Sequence, residues 1–165
     1  MDAPQHSDKT TNDRLSEIML DPKSLASSNA NIEHEREVAI FDILDGNSFA
    51  VEGLDSGPYK LYLAIVEDRM QLNVGSQTAT DIAQHNVPLT PLKRIIKDYF
   101  MVCESYYAAV RTAPPARIQA IDVNRRSLHD EGSQVLRDRM LPKIVVDSHT
   151  SRRLFTLLCA LHWKG

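Results

Sequence analysis

The run Arg125-Arg126-Ser127-Leu128-His129-Asp130-Glu131 holds the residue types best suited to chemistry in this chain. On a helix, residues four apart share a face, so Arg125 would stand with His129 and Arg126 with Asp130. A histidine beside carboxylates can serve as a general base, and arginines can clamp a phosphate or a carboxylate through their forked donors. That combination suits phosphoryl-ester or small-anion chemistry. A reaction also needs a nucleophile and a third group to orient the base, and no spacing here supplies them. The preferred reading of these residues is therefore an exposed helix laced with ion pairs. A second cluster, His149 with Arg152 and Arg153, stands at the start of the last helical pattern. Free backbone amides at a helix N-terminus bind anions, and two arginines there would reinforce such a site. The plainer account is arginines on the wet side of an amphipathic helix.

Other templates are not met. There is no Walker loop, no GxGxxG after a strand and no GxSxG elbow. His34 lies among Glu33 and Glu35, but carboxylates in a helix's opening turns answer to the helix dipole, and no HExxH spacing is present. Cys103 and Cys159 fall in apolar helical patterns, without metal-like spacing or a disulfide framework. No metal and no cofactor is expected, and no residue is assigned as catalytic. The candidate anion-binding residues are Arg125, Arg126, His129, His149, Arg152 and Arg153.

Several elements must position these side chains. The strongest is Thr90 to Ala113, expected to be the helix around which the chain is arranged. Thr90 suits a cap and Pro91 the first helical position. Leu92, Ile96, Tyr99, Cys103, Tyr106 and Val110 recur at steps of four and three, and Pro114-Pro115 end the pattern. The stripe is too short and too aromatic for a coiled-coil seam and reads as a buried face. Before it, Arg14 to Asp21 suggests a short strand. Asn31 is expected to cap a helix whose apolar side holds Val38, Ile40, Phe41, Ile43 and Leu44, with a turn at Gly46-Asn47. YKLYLAIVE and RMQLNV alternate around Glu67-Asp68 as a hairpin, and Thr78 to Leu89 reads as a third strand. Residues 116–141 read as helical, with Gly132 a point where the helix could divide. Lys143 to Asp147 is a short strand. Asp147 or Ser148 caps the last helix, which buries Leu154, Phe155, Leu158 and Leu161. The resulting class is α+β: an antiparallel meander packed against about four helices, in one domain over 13–165 behind a disordered tail over 1–12. Trp163 is expected to dock on the body.

A chain of 165 residues with 42% apolar and 25% charged residues can bury a core as one domain without staples. No apolar run approaches a membrane span, and the N-terminus lacks a signal peptide's apolar segment, so no membrane association and a cytoplasmic location are expected. The net charge of −3 conceals a split. Residues 1–90 carry 6 Lys/Arg against 15 Asp/Glu (6 − 15 = −9), and residues 91–165 carry 13 against 7 (13 − 7 = +6). A basic half can face phosphates or nucleic acid, although two halves attracting each other across one fold is the simpler account.

The runs EHEREVAIFDIL, GPYKLYLAI, LTPLKRIIKDYFMVCESYYAAVRTA, RRSLHDEGSQVL and RRLFTLLCALHWKG, taken in this order, resemble an alphaproteobacterial uncharacterised protein family, number zero-two-six-two of the UPF series. The resemblance covers roughly residues 14 to 165. It implies a bacterial cytoplasmic protein of one domain and brings no reaction, cofactor or catalytic residue. The charge split and the lack of a complete catalytic set lead to the functional expectation. It is a small non-enzymatic binding or regulatory protein whose basic C-terminal half meets an acidic protein, a nucleic acid or a ribosomal particle. The alternative is an enzyme acting on a small phosphorylated or carboxylated metabolite, which requires the His/Arg clusters to converge on one concave pocket.

Overall fold

The computed structural model describes residues 12–25 and 30–162, and the tail expected over 1–12 (apart from Asn12) and Trp163 lie outside those residues. Strand β1 spans Leu15–Leu20 and helix α1 Ala30–Asp45; strands β2, β3, β4 and β5 span Phe49–Val51, Tyr59–Val66, Arg69–Gly75 and Ala83–Pro88. Helices α2 and α3 span Lys93–Thr112 and Pro115–Met140, followed by strand β6, Ile144–Val146, and helix α4, Ser148–His162. This is the expected α+β class.

The main sheet has the order β1-β3-β4-β5. The meander β3-β4-β5 is antiparallel as its alternation implies, and β1 joins its open edge parallel to β3. At the β3–β4 turn Glu67 and Asp68 both adopt positive φ, 51° and 62°, the twist that closes a two-residue hairpin. The inner face is continuous: Leu15, Ile18, Tyr59, Leu61, Leu63, Met70, Leu72, Val74 and Val87 are buried in one core. Lys60, Tyr62, Gln71 and Asn73 alternate onto the other face. A second sheet pairs β2 with β6, placing Phe49 opposite Val146. Both strands are three residues long, too few to show a period; β6 is legible because Ile144-Val145-Val146 is a β-branched run, which β2 lacks.

The helices depart from expectation in four places. Thr90–Leu92 forms a 3-10 turn, and no side chain caps α2. Asn31 lies inside α1, which already begins at Ala30. The buried residues of α1 are Ile32, Ala39 and Ile43, whereas Val38, Phe41 and Leu44 are exposed, Phe41 at 70%. A narrow stripe with alanine at its centre brings α1 close to its neighbours and leaves the bulkier side chains outside. Gly132 does not divide α3. It faces the Phe155 ring so closely that a Cβ there would lie 2.2 Å from Cζ, so its lack of a side chain is what lets α3 and α4 approach.

Helix α4, rather than α2, is the centre of the domain. It packs against α1 on one side and α3 on the other and reaches β3. Leu154, Phe155, Leu157, Leu158, Cys159, Ala160 and Leu161 are all buried. Its entry is closely specified. Asp147 Oδ1 accepts from the Thr150 amide at 2.8 Å, making Asp147 the capping side chain. Thr150 Oγ1 accepts from the Ser48 amide at 3.0 Å, and the Ser151 hydroxyl donates to the Ser133 carbonyl at 2.7 Å. Asn47 ties the end of α1 to β1, accepting from Leu15 N at 2.7 Å and donating to the carbonyls of Leu15 and Ile43 at 3.1 and 2.7 Å. These bonds set α1, α3 and α4 side by side.

Candidate functional site

Where those three helices meet, a pocket of about 450 Å³ opens to solvent. Helical spacing delivers its walls. Glu35, Val38, Ala39 and Asp42 follow one face of α1, with His34 beside them. Arg125, Arg126 and His129 come from α3, and Arg152, Arg153 and Thr156 from α4. Tyr99 of α2 completes the lining. Five of the six candidate residues thus border one pocket. His149 is exposed in the first turn of α4 and is not among the lining residues.

The ion pairs differ from the expected pairing of Arg126 with Asp130. Asp122 takes Arg125 at 2.5 Å on one oxygen and Arg126 at 2.9 Å on the other. Asp130 does not pair with Arg126 but forms an ion pair with Arg152 across the α3–α4 contact. Arg153 Nε lies 3.3 Å from Asp42 Oδ2 on α1, without the alignment of a hydrogen bond. Arg125 also lies over the Tyr106 ring, 4.6 Å from its centroid. Of the charge split, Lys93–Asp68 and Arg153–Asp42 join the acidic half to the basic one. Arg125, Arg126 and Arg152 find their carboxylates within the basic half. The lining side chains carry four arginines against Glu35 and Asp42, a balance of 4 − 2 = +2. Each guanidinium has five donors, so a paired arginine still has hydrogens to offer a ligand.

His129 is the least expected feature, since an exposed ion-paired helix face was the preferred reading. It is only 8% exposed, packed edge-on against the rings of Tyr99 and Phe155 at centroid distances of 5.3 and 5.1 Å. Its Nε2 lies 2.8 Å from Thr156 Oγ1, whose own hydroxyl donates to the Arg152 carbonyl at 3.2 Å. The ring and the hydroxyl share this contact, and Nδ1 on the other side of the ring is buried without a hydrogen-bond partner. Burial, followed by the positive charges of Arg152, Arg153 and Arg125, pushes the His129 pKa down to about 4. The ring is neutral at pH 7, and the field around it is positive.

The Tyr107 hydroxyl of α2 donates to Glu35 Oε2 of α1. Burial, then this bond, raises the Tyr107 pKa. Burial also raises the Cys103 thiol to about 11 and the Cys159 thiol well above its ordinary value, so neither is an activated nucleophile. Among the described residues no three His, Cys, Asp or Glu side chains gather as metal ligands, and no helix is long and apolar enough to cross a membrane. Sequence reasoning missed the α1 wall, because Val38 was assigned to the core and Glu35 to the helix dipole. A signal was present: Glu35, Val38, Ala39 and Asp42 recur at one-face spacing directly upstream of the buried Ile43.

The family model for UPF0262, described as an uncharacterised protein family, matches residues 12–164. A UPF0262 protein of Rhizobium leguminosarum is 50% identical over 152 residues, covering 92% of this chain and 96% of the relative. One from Brucella anthropi is 51% identical over 155 residues, covering 93% and 96%. One from Rhodopseudomonas palustris is 46% identical over 165 residues, covering both chains completely. No solved structure matches. A match of this extent, with such relatives, makes the chain a member of the uncharacterised protein family UPF0262.

Proposed function

We propose that this protein is a binding protein for a small phosphate- or carboxylate-bearing molecule, held in the pocket between α1, α3 and α4. The observation that carries the reading is the convergence of four arginines from two helices around a buried, neutral histidine. A volume of about 450 Å³ suits a small metabolite. It narrows the expected acidic partner from a macromolecule lying along a basic half to a molecule entering a cleft. Binding is favoured over catalysis by the chemistry of the groups. A histidine with a pKa near 4 is a weak base at neutral pH, the thiols are unactivated, and the Thr156 hydroxyl is engaged by a backbone carbonyl. The same reading places the protein in the cytoplasm, in keeping with two buried, free thiols.

The test is thermal unfolding at low salt in the presence of inorganic phosphate or citrate. At a hundred times Kd a ligand adds about 2.7 kcal/mol, and melting should rise by roughly 5–10 °C at ~2–4 °C per kcal/mol. Arg126→Ala with Arg152→Ala should remove the rise. If neither anion shifts the melting temperature while the chain co-purifies with nuclease-sensitive material, the partner is a nucleic acid and this reading is wrong.

A further inference from the structure

The pocket is not uniformly basic, and its asymmetry specifies more than an anion. One wall, from α3 and α4, presents Arg125, Arg126, Arg152 and Arg153. The facing wall, from α1, presents the carboxylates of Glu35 and Asp42. A carboxylate is acceptor-only when ionised, so the α1 wall asks for hydrogen-bond donors on the ligand. On Glu35 the Tyr107 hydroxyl takes Oε2, which leaves Oε1 for such a donor. A bare anion would engage the arginines alone and leave this second wall without a partner. Building on the binding site proposed above, we propose that its ligand is a phosphorylated polyol, with the phosphate on the arginine wall and hydroxyls donating to the carboxylates of α1.

Three observations favour this class over its neighbours. Guanidinium groups arriving from two helices address an anion from several directions. That suits a tetrahedral phosphate, with three terminal oxygens, better than a planar carboxylate. The donors on the ligand are hydroxyls rather than an ammonium because the surroundings are already positive. The four arginines of the lining outnumber its two carboxylates, so an added cation would enter a pocket of net positive charge. Finally, the lining sets His34, His129 and Thr156 beside the charged groups, a polar surface that suits a hydroxylated ligand over a hydrocarbon one.

Calorimetric titration of the full chain with inorganic phosphate, ribose 5-phosphate, ribose and phosphoethanolamine tests the assignment. Ribose 5-phosphate should bind at least about tenfold tighter than inorganic phosphate, since a polar site loses affinity steeply for a ligand lacking the matching hydroxyl. Glu35→Gln should erase that advantage, bringing the affinities for ribose 5-phosphate and inorganic phosphate together. Asp42→Asn provides a second variant on the same wall, and the ligand comparison on the unaltered chain decides even if neither variant folds. Equal affinities for phosphate and ribose 5-phosphate would overturn the polyol assignment and leave the anion site standing. Tighter binding of phosphoethanolamine would overturn it in favour of an amine-bearing ligand. Binding of none of the four would overturn both readings.

Discussion

Replacing Gly132 with alanine separates two physical accounts of α3. Viewed as a helix alone, the change removes an entropic weakness and should stabilise by about 1 kcal/mol. In the folded chain the added Cβ would meet three atoms of the Phe155 ring, at 2.2, 2.4 and 2.9 Å. The ring has no room to yield, being fully buried and held against Tyr99 at 5.9 Å and His129 at 5.1 Å between centroids. Overpacking of a tight core costs about 1–3 kcal/mol, and three contacts this short belong at the upper end. Subtracting the gain in helix propensity leaves a loss of about 2 kcal/mol. At ~2–4 °C per kcal/mol for a chain of this size, melting should fall by roughly 4–8 °C. Calorimetry measures this directly. Pairing the change with Phe155→Leu supplies the control, since the double variant should lose less than the sum of the singles. A higher melting temperature for Gly132→Ala would refute the close-approach account and return Gly132 to a simple weak point.

Further expectations follow from single side chains. The depressed pKa of His129 makes its contribution to stability fully present above the unfolded value of 6.5. That contribution is lost as pH falls from 6.5 towards about 4, because only the unfolded chain accepts the proton in that window. The loss amounts to about 3 kcal/mol at 1.36 kcal/mol per pH unit, and His129→Gln should flatten that part of a stability-against-pH curve measured by denaturant titration. Asn47→Ala should cost about 2–4 kcal/mol, since three hydrogen bonds go and the Leu15 amide and carbonyl lose their side-chain partner; a urea midpoint lowered at unchanged slope checks it. Asp147→Ala should cost about 1 kcal/mol through loss of the α4 cap, read by the same titration.

What was legible in the sequence follows from the length scale of each signal. The hairpin shows in alternation because Leu61, Leu63, Met70 and Leu72 each repeat a two-residue period within one strand. The last helix shows through Leu154, Leu158 and Leu161 for the same reason at a helical period. The parallel seat of β1 beside β3 does not show, because pairing between strands distant in the chain depends on the whole sheet. Nor does the centrality of α4, since Thr150, Ser151 and Cys159 are buried without looking strongly apolar. For the site, local spacing brought Arg125 and His129 together but assigned Asp130 to Arg126. Its partner is Arg152, and that pair exists only once α3 and α4 pack. The burial of His129 is likewise a property of that packing, made possible by Gly132.

If the pocket is an anion site, its four arginines act on one small anion. Nuclear magnetic resonance of the arginine Nε–Hε groups during titration with inorganic phosphate tests it most directly. Signals of Arg125, Arg126, Arg152 and Arg153 should move together along one saturable curve, while those of Arg137 and Arg139, near the far end of α3, stay in place. Shifts that fail to saturate, or that are shared equally by Arg137 and Arg139, would contradict a site between α1, α3 and α4.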